Sequence, residues 1–270
     1  MDLACRIVSE NKIIYGCEMK NKTVLITGAS SGLGEAFAKY CAKQGCHLAL
    51  VARRLERLEQ LAEQLREQYA VQVEVAQLDV TEHDKILPIF IGLSDLLGQI
   101  DIVVINAGIS KVRHLGDNRL DKDIEVLNTN LISAIACSDA AQKMFRIQGQ
   151  SGHIVAISSY SAFIGLPQAA AYSASKAALA TYFNAIRAGL SKRGIAVTVV
   201  YPGFVQTELL HGFNPQLPIV AQPDAVAQQI YTAIIKQKAE VIVPPLPWKV
   251  LYGLQQVTPK PVLRWITQLL

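Results

Sequence analysis

Short runs of β-branched and apolar residues recur along the chain, separated by stretches in which apolar side chains repeat at helical spacing. This alternation limits the fold more than any other feature. Thr23–Thr27 (TVLIT) breaks into Gly28, after which Leu33, Phe37, Tyr40 and Cys41 recur at helical spacing until Gly45. Leu48–Val51 leads into an amphipathic stretch with Leu55, Leu58, Leu61, Ala62 and Leu65 on one face. Further runs lie at Val71–Val75, Ile102–Ile105, Ile154–Ile157, Ile195–Val200 and Val241–Val243, with helical patterns in most of the gaps. Strands without polar alternation, joined by helices, predict a parallel sheet covered on both faces. The expected fold is α/β: one doubly wound parallel sheet of about seven strands, plus a C-terminal helical extension.

The composition fits a single large core. The chain has 270 residues, of which 51% are hydrophobic and 18% charged, so disorder is excluded. A net charge of +4 is spread along the chain without Lys/Arg blocks, which argues against nucleic acid as a partner. The cysteines Cys5, Cys17, Cys41, Cys46 and Cys137 are odd in number, form no C-x-x-C pair and have no histidine at zinc-ligand spacing. They read as free thiols in a reducing cytoplasm, with no metal site. Residues 1–20 lack the apolar segment of a secretory signal and are expected to be an appendage. A single folded domain is expected over 21–245, and Pro244-Pro245-Leu246-Pro247 opens an apolar extension over 246–270. In that extension Val262, Leu263, Ile266, Leu269 and Leu270 share a helical face beside Trp265. Two readings stay open: packing on its own domain or a sister subunit, or peripheral contact with the cytoplasmic membrane face, because Lys249, Lys260 and Arg264 flank apolar residues.

Thr27-Gly28-Ala29-Ser30-Ser31-Gly32-Leu33-Gly34 joins the first strand to its helix, where a doubly wound sheet binds a dinucleotide. Glycines let the backbone turn sharply and approach a pyrophosphate, while free N–H groups and the helix dipole favour its charge. The spacing is G-x-x-x-G-x-G, and taken alone such a turn is equally compatible with a purely structural role. After the second strand the sequence is Val51-Ala52-Arg53-Arg54. An acid there would hydrogen-bond a ribose 2′-OH; Ala52 offers none, whereas Arg53 and Arg54 suit a 2′-phosphate. NADP(H) is therefore the preferred cofactor, with NAD(H) the second choice. The bland alternative is that both arginines are solvated residues opening the next helix.

Ala169–Leu190 carries Tyr172, Lys176, Leu179, Phe183, Ile186 and Leu190 along one helical stripe. Tyr172 and Lys176 are neighbours one turn apart, about 6 Å in rise. A free phenol has a pKa of about 10, and a nearby ammonium is expected to lower it and make a general acid/base. Packing beside a solvated charge is the other reading of such a pair. Ser159, in Ser158-Ser159-Tyr160-Ser161, lies at the end of the Ile154–Ile157 strand, where these sheets place ligands. Its hydroxyl can hold a carbonyl oxygen there.

Taken together, TGASSGLG at 27–34, Leu78-Asp79-Val80, Asn106-Ala107-Gly108, Asn128-Thr129-Asn130-Leu131, the Ser159–Tyr172–Lys176 spacing, and Tyr201-Pro202-Gly203 followed by Thr207 resemble the short-chain dehydrogenase/reductase family of the classical kind over roughly 21–245. The resemblance implies a Rossmann sheet in which Thr27, Gly28, Ser30, Ser31, Gly32, Leu33 and Gly34 cradle the cofactor. It implies that Asp79 contacts the adenine beside Val80, that Asn106, Ala107 and Gly108 support the cofactor-side wall, and that Pro202, Gly203 and Val205 lead to Thr207, which helps hold the nicotinamide carboxamide. Ser159 would polarise the substrate carbonyl and Tyr172 would protonate the developing alkoxide. Lys176 would tune Tyr172 and bind the nicotinamide ribose, and Asn130 would hold a water linking Lys176 to solvent. Asn128 remains the alternative to Asn130, and Ser31 stands where NADP-binding relatives often carry a second basic residue. A homodimer or homotetramer is also implied.

Residues after Ser159 and after the Pro-Gly turn are the candidates to meet a small-molecule substrate: Phe163, Ile164, Leu166, Phe204, Leu209, Leu210 and Phe213. They favour an apolar carbonyl or alcohol, such as one of acyl-chain or lipid origin, although each suits core packing equally well. His47, His83, His114, His153 and His211 form no ligand or triad pattern. The functions this supports are NADP(H)-dependent, reversible carbonyl reduction, its NAD-linked counterpart, or a silent dinucleotide-responsive binding subunit.

Overall fold

The computed structural model describes residues 19–112, 118–210 and 220–258. Cys5, Cys17, His114, His211, Phe213, Lys260, Val262, Leu263, Arg264, Trp265, Ile266, Leu269 and Leu270 lie outside the described residues. Seven parallel strands form one sheet: β1 (Thr23–Thr27), β2 (His47–Ala52), β3 (Val73–Gln77), β4 (Ile102–Ile105), β5 (Gly152–Ile157), β6 (Ile195–Pro202) and β7 (Glu240–Val243). Their order is β3-β2-β1-β4-β5-β6-β7. The chain winds outward from β1 to β3, then crosses back to place β4 on the other side of β1. That reversal opens a crevice at the strand carboxyl ends between β1 and β4, which is where such sheets bind ligands.

The central strands are covered on both faces because β1, β2, β4, β5 and β6 have buried side chains pointing both ways, whereas the edge strand β3 fully buries only Val73. One core lies under α1 (Gly32–Lys43), α2 (Leu55–Gln68) and α7 (Pro223–Ile235), and includes Phe37, Leu58 and Ile230. Tyr40 meets Tyr231 edge to face at 5.2 Å, joining α1 to α7. The second core lies under α3 (His83–Leu97), α5 (Ser133–Gln148) and α6 (Ala170–Ser191), and includes Phe90, Phe145 and Phe183. Between α3 and α5 lie the short α4 (Leu120–Leu127) and a single π-helical segment, Asn128–Ile132. No helix among the described residues is long and apolar enough to cross a membrane.

Two elements depart from the sequence expectations. The third strand runs from Val73 rather than Val71, because its pairing begins at Leu48↔Val73 and extends to Ala52↔Gln77. Val71 instead packs at the rim of the first core. An additional helix, α8 (Trp248–Val257), follows the proline-rich break, and its Trp248 is buried in the second core. It falls within the helical extension expected over 246–270 but ahead of the stripe named there, and it carries its own apolar row, Val250, Leu254 and Val257, exposed at helical spacing. Cys41, Cys46 and Cys137 are free and buried.

His153 occupies a buried position on β5 and links it to β6 and to the segment before β7. Its Nε2 is 2.8 Å from Thr198 Oγ1, and that hydroxyl donates to the Lys238 carbonyl at 2.6 Å. Thr198 has therefore used its proton and must accept from Nε2–H of a neutral ring. Burial depresses the His153 pKa to about 4. Between pH 6.5 and 4 the unfolded chain takes up a proton that the folded protein refuses, so stability falls as the pH drops through this window. The loss approaches about 3 kcal/mol at the acid end. Urea unfolding should show a steeper acid decline for the wild type than for His153→Gln, and parallel pH profiles would refute the assignment.

Candidate active site

The glycine turn is shaped by contacts across the β1/β4 crevice. Gly28 has φ +69° and Gly32 φ +60°, both in the left-handed region. A Cβ on Gly28 would sit 2.8 Å from the Ala107 Cα, and one on Gly34 would collide with the Gly28 carbonyl and the Asn106 amide. The Asn106 side chain donates to the Thr27 and Gly28 carbonyls at 3.0 and 3.2 Å. In return Thr27 Oγ1 accepts the backbone N–H groups of Asn106 and Ala107 at 3.0 and 3.1 Å. The first turn of α1 opens here, with Ser31 extended and no side chain bonded across the helix start. Its unpaired N–H groups and the helix dipole form a seat for an anion.

A cavity of about 440 Å³ runs from this turn to the start of α6. Of the site residues named from the sequence, Gly28, Ser30, Ser31, Gly32, Leu33, Arg53, Arg54, Asp79, Val80, Asn106, Ala107, Gly108, Ser159, Tyr172, Lys176, Pro202, Gly203, Phe204, Val205, Thr207 and Leu209 line it. Thr27, Gly34, Asn130 and Phe163 do not. The first three of these support the wall from behind. The Phe163 ring lies 4.6 Å from that of Tyr201 and 4.5 Å from that of Tyr252, inside an aromatic cluster beneath α8. Burial against rings that come from distant parts of the chain draws it away from the cavity. Ile164 packs with the same core, whereas Leu166 and Leu210 do line the cavity.

At the adenine end, Asp79 Oδ1 accepts from the Thr81 N–H at 3.0 Å and the Thr81 hydroxyl at 2.8 Å. Burial works to raise the Asp79 pKa, but the Thr81 bonds and the charge of Arg53 outweigh it and hold the carboxyl below its ordinary value. Arg54 reaches back over the glycine turn, its Nε 3.1 Å from Ser30 Oγ and its Nη2 2.6 Å from Ser31 Oγ. Its Nη1 pairs with Glu208 at 3.2 Å, and Glu208 also pairs with Arg57 at 3.0 Å. Sequence reasoning missed Glu208 and Arg57. The only available signal was an acid immediately after Thr207, and nothing in the pattern showed that it would meet α2.

At the other end, Ser159 follows β5 with an extended backbone, and its Oγ accepts the Ser161 N–H at 3.1 Å. Tyr172 stands in the first turn of α6, half-buried in the cavity wall. Lys176 is one turn on and buried, with Nζ donating to the Ile157 carbonyl at 2.8 Å. Ser158 Oγ in turn donates to the Lys176 carbonyl at 2.8 Å, fixing α6 to the end of β5. Gly108 leaves room for this arrangement, since a Cβ there would lie 3.4 Å from Lys176 Nζ and 3.2 Å from Asn130 Oδ1. Asn130, in the π-helical segment, accepts the Ile109 N–H at 2.8 Å and donates to the Ile109 carbonyl and to Ser175 Oγ at 2.9 and 3.1 Å. Its amide thus clamps the loop after β4 to α6. Asn128 accepts from Ser133 Oγ through its backbone carbonyl.

The electrostatics differ from the sequence expectation. Burial raises the Tyr172 pKa, and a hydrogen bond with Ser159 opposes this only in part. Lys176 does not bring it down in the protein alone: Nζ points to Ile157 and lies 5.8 Å from the centre of the Tyr172 ring. The same burial lowers the Lys176 pKa to about 8. Desolvation, which disfavours both charged forms, exceeds the attraction between them. No group of His, Cys, Asp and Glu able to hold a metal occurs among the described residues.

A doubly wound sheet with an anion seat at its switch point and a serine, tyrosine and lysine at the far wall defines a nucleotide-dependent oxidoreductase. The sequence profile of the short chain dehydrogenases matches residues 22–218. An oxidoreductase of Mycobacterium tuberculosis is 39% identical over 238 residues, covering 87% of this chain and 93% of that protein. The dehydrogenase/reductase SDR family protein 7-like of Drosophila melanogaster is 32% identical, covering 90% and 78%. Among solved structures, the short-chain dehydrogenase from Sphingobium yanoikuyae in complex with NADPH has 30% identity and a TM-score of 0.76, covering 87% of this chain and 94% of that one. The chain belongs to the short-chain dehydrogenase/reductase family, and is an NAD(P)-dependent oxidoreductase acting on CH–OH and C=O groups.

The turn geometry generates a first test. Gly34→Ala forces a methyl group against the Gly28 carbonyl, and overpacking of this kind costs about 1–3 kcal/mol. The variant should melt at lower temperature and bind dinucleotide at least about tenfold more weakly, as read by calorimetric titration. Wild-type affinity would show that the turn is not the cofactor seat.

Proposed function

We propose that this protein is an NADP(H)-preferring reductase of apolar ketones or aldehydes, of acyl-chain or lipid origin, which also runs in reverse as an alcohol dehydrogenase. The observation that carries the reading is the meeting of Ser159, Tyr172 and Lys176 on the wall of the cavity that starts at the glycine turn. Residues 21–245 form the dinucleotide-binding and catalytic domain, with 1–20 an appendage and 246–270 an extension. The cavity fits a dinucleotide: Gly28, Ser30, Ser31, Gly32 and Leu33 hold the pyrophosphate side, Asp79 and Val80 the adenine, and Ala107, Gly108, Pro202, Gly203, Val205 and Thr207 the nicotinamide side. Thr27, Asn106 and Gly34 keep that cradle in shape. When bound, the nicotinamide cofactor supplies the hydride for reduction and receives it in oxidation.

The substrate oxygen is held by the Ser159 hydroxyl and by Tyr172. The phenol, whose ordinary pKa of about 10 is raised further by burial, is protonated through the neutral range, and Tyr172 enters the reduction as the proton donor to the developing alkoxide. Lys176, fixed by Ile157, binds the nicotinamide ribose and tunes Tyr172, and a water held at Asn130 links Lys176 to bulk solvent. Phe204, Leu209, Leu166 and Leu210 form an apolar wall for the rest of the substrate. Arg53 and Arg54, with Ala52 in place of an acid, support NADP(H) over NAD(H). The NAD-linked reading keeps one observation in its favour, the engagement of Arg54 by Glu208.

A homodimer or homotetramer is favoured by Leu120 and Ile124 of α4, which leave 66% and 56% of their surface exposed. We place the protein in the cytoplasm. Val250, Leu254 and Val257 of α8 are also exposed and could support a peripheral membrane contact.

Tyr172→Phe should keep NADPH affinity and lower turnover by at least about 10²-fold, the scale of general-acid loss. Unchanged turnover on a carbonyl panel followed at the nicotinamide absorbance would overturn the catalytic assignment. Arg53→Ala should weaken NADPH by about tenfold and leave NADH untouched. Equal losses for both cofactors would reject the phosphate-binding role.

A further inference from the structure

Glu208 closes the basic edge of the cavity with an anion supplied by the chain itself. It starts the single turn Glu208–Leu210 directly after Thr207, and its two carboxylate oxygens take different partners. Oε1 lies 3.0 Å from Arg57 Nη1 and Oε2 lies 3.2 Å from Arg54 Nη1. With Nε and Nη2 on Ser30 and Ser31, all three nitrogens of the Arg54 guanidinium are engaged. Arg57 and Arg54 together hold the Glu208 carboxyl below its ordinary pKa, so it is ionised throughout the working range. Arg54 and Glu208 are 42% and 50% exposed, and open ion pairs of this kind contribute little to folding. The consequence of the pair falls instead on whatever anion approaches the two arginines.

We propose that Glu208 is an internal competitor for the 2′-phosphate of NADP(H), and thereby the residue that sets how strongly this protein discriminates between phosphorylated and unphosphorylated dinucleotides. The inference rests on the NADP(H) reading above. A 2′-phosphate is recognised by charge-assisted bonds to guanidinium groups, and here those groups already hold a carboxylate. The phosphate must displace Glu208 or settle beside a like charge, and either route weakens its binding. A ribose with a free 2′-hydroxyl meets no such penalty. Glu208 therefore narrows a preference that Arg53 and Arg54 create, by holding Arg54 together with Arg57.

Equilibrium titration of the full chain with adenosine 2′,5′-bisphosphate and with 5′-AMP isolates this effect, because the two ligands differ only in the 2′-phosphate and neither carries a nicotinamide. Glu208→Gln should tighten the bisphosphate by about fivefold to tenfold and leave 5′-AMP within about twofold. The gain should vanish when Arg54→Ala and Arg57→Ala are added. A bisphosphate affinity that stays the same or falls in Glu208→Gln, or a gain shared equally by 5′-AMP, overturns the proposal. If Arg54→Ala weakens the bisphosphate while Glu208→Gln changes nothing, only the competing anion is wrong. If the wild type binds the bisphosphate no better than 5′-AMP and Arg54→Ala alters neither, the NADP(H) reading fails and takes this inference with it.

Discussion

The approach of β1 to β4 at the reversal of the sheet is the constraint on which the rest of the structure depends. Gly28 lies so close to Ala107 that a side chain is excluded, and Thr27 and Asn106 exchange hydrogen bonds across the gap. A turn that only glycine can fill at positions 28 and 34, a free helix start and a crevice floor are consequences of that one junction. Each of these polar groups would be costly if buried and unpaired, so pairing them fixes the turn in one geometry. The crevice is then the natural place for a phosphate-bearing ligand.

The far wall is built on a second principle, the burial of a lysine. Lys176 is tolerated in the interior because Ile157 accepts from its ammonium and Ser158 ties its backbone to β5. Asn130 completes the support by clamping the loop after β4 to α6. The cost of desolvation appears as opposite shifts, with Tyr172 raised and Lys176 lowered, which keeps the phenol in its neutral, proton-donating form and leaves Lys176 the more acidic of the two.

Much of this was legible in the residues. The strand–glycine–helix pattern named β1, the turn and α1, and a helical period placed Tyr172 and Lys176 on one stripe. Legibility ended where side chains from distant segments compete for the same space. Phe163 has the composition of a substrate contact, yet Tyr201 and Tyr252 draw it into an aromatic cluster. Arg54 has the position of a phosphate ligand, yet Glu208, far along the chain, is already bound to it. The start of β3 at Val73 was set by pairing with β2 rather than by the apolar run.

The sequence by itself determined the periodicities, the glycines and the order of the motifs, because these are local consequences of backbone geometry and of which side chains can be buried. It thereby determined a doubly wound sheet and the family to which the chain belongs. Only the tertiary structure decided the balance of charge at each end of the cavity: a phenol and an ammonium both shifted by burial, and an arginine shared between two serines and a glutamate. Desolvation and ion pairing depend on distances through space, and distances through space are settled only when the helices have packed on the sheet.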